Sequence, residues 1–113
     1  MAKKRAKIIP VVRGSGNVFA DLGFAQPEEE LTKAKLASLI RQVIEQKHLT
    51  QVSAGAVMGI DQPKVSALLN GRLGNFSSER LMRLLTALGQ DVKITVRPKP
   101  LGRERAHIQV VGI

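Results

Sequence analysis

The sequence predicts a mainly α-helical bundle of about five short helices, closed by a C-terminal β-strand or hairpin. Three observations carry that expectation. Apolar residues recur with helical spacing over residues 36–44 and again over 81–88. Between them, cap residues and terminating glycines cut the chain into short helical pieces. At Val92 the period changes to strict alternation, the pattern of a strand. A chain of 113 residues has room for one domain and short tails.

The elements follow in order. Residues 1–16 read as a basic, flexible arm. Within it, residues 8–12 have the composition of a short edge strand, and Pro10 argues against a central one. Residues 13–17 form a two-glycine turn without the strand–turn–helix context of a nucleotide site. The apolar segment 18–24, broken by Gly23, predicts a helical turn packed on the core. The first long helix starts at Pro27, a residue suited to the first helical position. Glu28, Glu29 and Glu30 follow, where acidic side chains complement the helix dipole. Its buried face is predicted as Leu36, Leu39, Ile40, Val43 and Ile44. Lys33, Lys35, Arg41 and Lys47 are expected on the other sides, and the helix ends near His48.

Thr50 then caps a helix over Gln51–Met58 that Gly59 stops. Asp61 caps another over Gln62–Leu69. Ile60 stands before that cap and Val65 at the fourth helical position, the arrangement of a hydrophobic staple. Pro63 falls in the first turn, where a missing N–H costs nothing. Asn70 and Gly71 close the helix. Ser77 caps the next one, Phe76 can staple onto Leu81, and Leu81, Leu84, Leu85 and Leu88 form its buried stripe up to Gly89. Residues 92–97 predict a strand that Pro98 and Pro100 break, and residues 108–111 offer a second. The chain thus divides into a basic arm at 1–16, a helical domain at 17–91, and a C-terminal strand with basic tail at 92–113, expected to serve dimerisation.

Charge is distributed unevenly. The formal net charge is +9, yet residues 14–91 are neutral. Lys3, Lys4, Arg5, Lys7 and Arg13 stand at one end without an acid. Lys93, Arg97, Lys99, Arg103 and Arg105 stand at the other against Glu104 alone. A neutral middle between two basic arms fits a polyanionic partner, although solvated basic tails can also serve solubility alone. With no cysteine, disulfides, zinc–thiolate sites and cysteine nucleophiles are excluded. No apolar run is long enough for a membrane span or a signal peptide, which predicts a cytoplasmic protein. Three phenylalanines are too few for base-stacking platforms, so single-stranded nucleic acid is disfavoured. His48 and His107 lie far apart in sequence, and no catalytic triad or metal spacing is evident. No enzymatic activity, metal or cofactor is expected.

The informative stretch is residues 49–71. Two short helices joined at Gly59, with Ala54 and Gly55 lacking bulk where the helices cross, make a helix-turn-helix. Ile60, Val65 and Leu68 point into the core, leaving Gln62, Lys64, Ala67 and Asn70 outside. A helix packed on one side only can enter a major groove. Thr50-Gln51, Gly55, Gly59-Ile60, Val65-Ser66 and Asn70-Gly71 resemble the signature of lambda-repressor-like, or XRE-family, regulators. Two positions depart from that pattern. Gly55 replaces a usual alanine, expected to loosen its helix slightly without changing the packing. Ala67 is small where a longer reader is common. Residues 15–23 together with 91–97 are similar to a narrower group, the HigA-type antitoxins encoded beside RelE/HigB-like toxins.

That resemblance implies a sequence-specific repressor of double-stranded DNA, and implies a toxic ribonuclease as partner. On the motif, Gln62, Lys64, Ser66 and Ala67 are expected at base edges, with Gln62 suited to adenine and Lys64 to guanine or a phosphate. Thr50, Gln51, Asn70, Arg72 and Asn75 are candidates for phosphate. One module makes few contacts, so a homodimer reading a palindromic operator is expected, with recognition helices about 34 Å apart. Val92, Ile94 and Val96 would pair with their copies across the two-fold axis, or residues 92–96 would form a hairpin with 107–111. Rival readings are a mainly toxin-neutralising interaction module, a stand-alone phage-type repressor, and non-specific binding through the tails.

Overall fold

The computed structural model describes residues 27–112. The arm at 1–16, the glycine turn at 13–17 and the apolar segment at 18–24 lie outside the described residues. Four helices are present among those described: α1 (Pro27–Gln46), α2 (Gln51–Met58), α3 (Gln62–Leu69) and α4 (Ser78–Ala87). They match the expected boundaries closely because each end is set by local chemistry. Thr50 Oγ1 accepts from the Ser53 N–H at 3.0 Å, and Ser53 Oγ accepts from the Thr50 N–H at 2.8 Å, a reciprocal capping box. Asp61 Oδ1 accepts from the Lys64 N–H at 3.1 Å, and Ser77 Oγ from the Arg80 N–H at 3.0 Å.

All four helices end on a residue in the left-handed region. Three of these are the expected glycines. The fourth is His48, with φ of 54°, closing α1. Leu49 N–H donates to the Ile44 carbonyl at 3.0 Å and His48 N–H to that of Glu45 at 3.1 Å. These are the two bonds of a Schellman motif, and Leu49 packs on the core beside them.

The core is built from one face of α1 (Leu36, Ala37, Ile40, Val43, Ile44), the crossing of α2 and α3 (Ala54, Met58, Val65, Leu68) and the stripe of α4 (Leu81, Leu84, Leu85, Leu88). The long α1 packs chiefly along α4, while α2 packs against α3. Phe76 and Leu81 are both buried, as the staple requires, and the Arg80 guanidinium lies 5.5 Å from the Phe76 ring centre.

The terminal strand or hairpin requires correction, while the expected helical turn at 18–24 lies outside the described residues. Four helices and no strand are found among the described residues. Residues 91–102 are exposed along their whole length, with no backbone ladder. The hairpin does not form because the chain, after turning at Gly102, carries Val110 and Gly112 to α1, against Leu39. Pro98 and Pro100 also remove two N–H donors from any ladder. Leu39, expected in the core, is accordingly half-buried beneath this returning tail.

A second correction concerns Lys33. It does not decorate an outer side; its side chain is buried, with 6% of the residue exposed. Its ammonium donates to the Leu73 carbonyl at 3.2 Å and lies 3.7 Å from a Glu30 carboxylate oxygen. A buried ammonium is tolerated only when paired in this way.

Candidate nucleic-acid interface

The α2–turn–α3 unit is held by its small residues. The Ile60 N–H donates to the Gly55 carbonyl at 3.0 Å as Gly59 turns the chain at φ of 73°. A Cβ on residue 55 would lie 2.7 Å from the Ile60 carbonyl oxygen and 3.3 Å from Val65 Cγ2. Glycine at 55 is therefore what lets the turn close on α2. The expected neutrality of this position toward packing is not what the geometry gives: a methyl group here would collide with backbone.

Helix α3 is anchored from behind. Val65 and Leu68 are completely buried and Leu69 is half-buried, whereas Gln62, Pro63 and Lys64 are exposed at its start. Ser66 and Ala67 are half-buried, so both keep some accessible surface. Lys64 extends from a helix entrance whose one acid, Asp61, is engaged by the Lys64 backbone N–H. Among the described residues this leaves the start of α3 with a cationic side chain and a neutral amide outside.

The expected phosphate contacts fall into two groups. Thr50 and Gln51 are exposed at the start of α2, where first-turn N–H groups lack intrahelical acceptors. Thr50's hydroxyl is already committed to the cap. Asn70, Arg72 and Asn75 are exposed on the segment after α3. The Asn70 amide nitrogen donates to the Ser66 carbonyl at 2.9 Å, closing its own helix and leaving less of the amide for a phosphate. Arg72 and Asn75 flank the buried Leu73, which with Phe76 fixes the loop to the core.

Val92, Ile94 and Val96 are not brought into the helix-turn-helix unit. They lie beyond α4, exposed, with Val96 at 90%. Lys33 is the residue that sequence reasoning missed. Leu36, Ala37, Ile40 and Ile44 follow it at offsets of three, four, seven and eleven, so Lys33 heads the buried stripe of α1. The periodicity was available; the charge concealed it.

No helix among the described residues is long and apolar enough to cross a membrane. Comparison with known proteins agrees with this geometry. A family model described as a helix-turn-helix domain matches residues 18–97. A solved structure described as "Putative XRE Family Transcriptional Regulator" is similar at 52% identity with a TM-score of 0.74. The match covers 76% of this chain and 97% of that one. The chain is also similar to "Putative antitoxin HigA2" of Mycobacterium tuberculosis (strain ATCC 25618 / H37Rv), 36% identical over 58 residues. That match covers 51% of this chain and 57% of the curated relative, so it spans little more than half of that protein's length. By the family match over residues 18–97 and the likeness of its fold, the chain belongs to the helix-turn-helix family of XRE-type transcriptional regulators.

Proposed function

We propose that the chain is a repressor that binds a palindromic operator as a homodimer, with α3 in the major groove. One observation carries this: α3 is held by two fully buried residues, Val65 and Leu68, while Gln62 and Lys64 stand exposed at its start. In this arrangement Gln62 reads an adenine edge, Lys64 meets a guanine or a phosphate, and Ser66 and Ala67 add short contacts, Ala67 against a thymine methyl. Phosphates are held by the first turn of α2 at Thr50 and Gln51 and by the loop carrying Asn70, Arg72 and Asn75.

The second copy is recruited by residues 92–97. Among the described residues their backbone has no ladder partner, and Val92, Ile94 and Val96 are exposed. Pairing with the same segment of a second chain would satisfy both. The likeness to the curated antitoxin supports a further element of the reading: an accessory protein of the RelE/HigB-like toxin class as partner.

Nuclease footprinting on the promoter of the protein's own gene tests the reading. Two protected half-sites related by a dyad, one helical turn or a multiple of it apart, are expected. Uniform protection at all positions would overturn it in favour of non-specific binding. Co-expression with a small ribonuclease-like protein encoded alongside tests the toxin pairing: a stable complex is expected, and two separately eluting proteins would contradict it.

A further inference from the structure

We propose that Lys33, on α1, is a positioning residue for the DNA-phosphate-binding loop that follows α3. The inference rests on the reading above that Arg72 and Asn75 meet the DNA backbone.

The loop between α3 and α4 is tied to α3 only at its start, where the Gly71 N–H donates to the Leu68 carbonyl at 3.2 Å and the Arg72 N–H to that of Ala67 at 2.8 Å. Gly71 and Gly74 flank Arg72 and Leu73, and both glycines have open space where a side chain would be. Two apolar anchors, Leu73 and Phe76, sink into the core and bracket Asn75. The polar anchor is the Leu73 carbonyl oxygen. It accepts from the Phe76 N–H at 3.0 Å within the loop and from Lys33 Nζ at 3.2 Å from α1, forty residues earlier in the chain. Lys33 is thus the polar bridge by which the longest helix fixes this loop. Glu30 at 3.7 Å supplies the counter-charge that lets the ammonium stay buried. Leu36, Ala37 and Ile40, on the same stripe of α1, carry no polar side-chain atoms. A methionine at 33 would fit their surroundings as a simple core residue. An ammonium there is instead expensive unless its direction is used.

Its direction is set by Leu73, adjacent to Arg72. Arg72 is held on its near side by its own N–H bond to the Ala67 carbonyl, and Lys33 holds the far side at Leu73, so the two together set the backbone from which a phosphate contact by Arg72 is made. Lys33 need not touch DNA to influence it. Fixing the Leu73 carbonyl limits the positions from which Arg72 reaches out, so part of the ordering is done before binding.

The test uses the full chain with two duplexes, one carrying the promoter of its own gene and one of scrambled sequence. Lys33→Met, Lys33→Arg, Arg72→Gln and the Lys33→Met/Arg72→Gln double variant are titrated at several salt concentrations below their melting temperatures. Arg72→Gln is expected to lose about tenfold in affinity on both duplexes and to reduce the salt slope by about 0.9, the release of one phosphate contact. Lys33→Met is expected to reproduce that loss and slope, to add little when combined with Arg72→Gln, and to speed amide exchange at Phe76. Lys33→Arg, which keeps a donor, should restore the slope. Wild-type slope and affinity in Lys33→Met, or a loss fully additive with Arg72→Gln, would overturn the positioning role while leaving the DNA interface intact. An unchanged slope in Arg72→Gln would instead remove the phosphate role of the loop, and the proposal with it. Should Lys33→Met fail to fold, Lys33→Gln, too short to span to Leu73, carries the same expectations.

Discussion

Gly55 and Ile60 meet twice: the Ile60 N–H donates to the Gly55 carbonyl at 3.0 Å, and the Ile60 carbonyl oxygen lies 2.7 Å from where a Cβ on residue 55 would sit. The backbone of the turn rests directly on the backbone of α2. That contact fixes how α3 leaves the turn, and hence which side of α3 faces outward.

Gly55→Ala therefore tests whether packing or helix propensity dominates. Alanine would gain about 1 kcal/mol of propensity in a helix interior. Forcing a methyl group against a backbone oxygen typically costs about 1–3 kcal/mol. Backbone cannot rotate away as a side chain can, so the cost should win and the net change should be destabilising. Denaturant unfolding reads it as a lower midpoint at unchanged slope. A raised midpoint would show that the turn can relax away from α2.

His48 makes the opposite prediction. It occupies the left-handed position that glycine holds at the other three helix ends, with φ of 54°. The left-handed region costs an ordinary residue about 1 kcal/mol or more. Its exposed side chain makes no hydrogen bond among the described residues. Glycine's freedom in the unfolded chain offsets part of the gain. His48→Gly is expected to raise stability by several tenths to about 1 kcal/mol, seen as a higher melting temperature with unchanged DNA affinity.

Gln62 and Lys64 separate readout from attraction. Gln62→Ala should cost about 1–3 kcal/mol on the preferred site and relax one base position. Lys64→Gln discriminates its two roles. Lost preference at one position marks a guanine contact, whereas a uniform loss with a salt slope reduced by about 0.9 marks a phosphate. Binding to a panel of single-base operator variants at fixed salt measures both. Normal binding by Gln62→Ala would mean that another side chain reads the groove.

Ile94→Asp probes the second copy. Ile94 is 74% exposed in the single chain, so an aspartate there has no folded core to disturb. The monomer should melt as before, but the dimer should dissociate and operator affinity should fall steeply. Sedimentation equilibrium with and without DNA checks this. An unaltered dimer would place the two-fold contact elsewhere.

The helices were legible because their signals are local. Thr50, Asp61 and Ser77 each announce a cap, Gly59, Gly71 and Gly89 each announce an end, and the boundaries of α2, α3 and α4 follow directly. What could not be read depends on contacts distant in sequence. The alternation of Val92, Ile94 and Val96 marks an extended segment, but a strand also needs a partner backbone, and the chain leads residues 110–112 to Leu39 instead. The charge of Lys33 points to the surface while its spacing points to the core, and its acceptor, the Leu73 carbonyl, carries no sequence signature. In the sequence Gly55 is a small residue at a crossing; that its close neighbour is the Ile60 carbonyl oxygen depends on how the turn folds back. The outward character of Gln62 and Lys64 was legible because Val65 and Leu68, which follow them, claim the core side.

Backbone amide chemical shifts, followed while a promoter duplex is added to the full chain, test most directly whether the open side of α3 is the surface that meets DNA. The account predicts perturbations concentrated at residues 50–52, 62–67 and 70–75, with α1 little affected outside the neighbourhood of Lys33. Perturbations confined to residues 92–112, or spread along the outer side of α1, would contradict it.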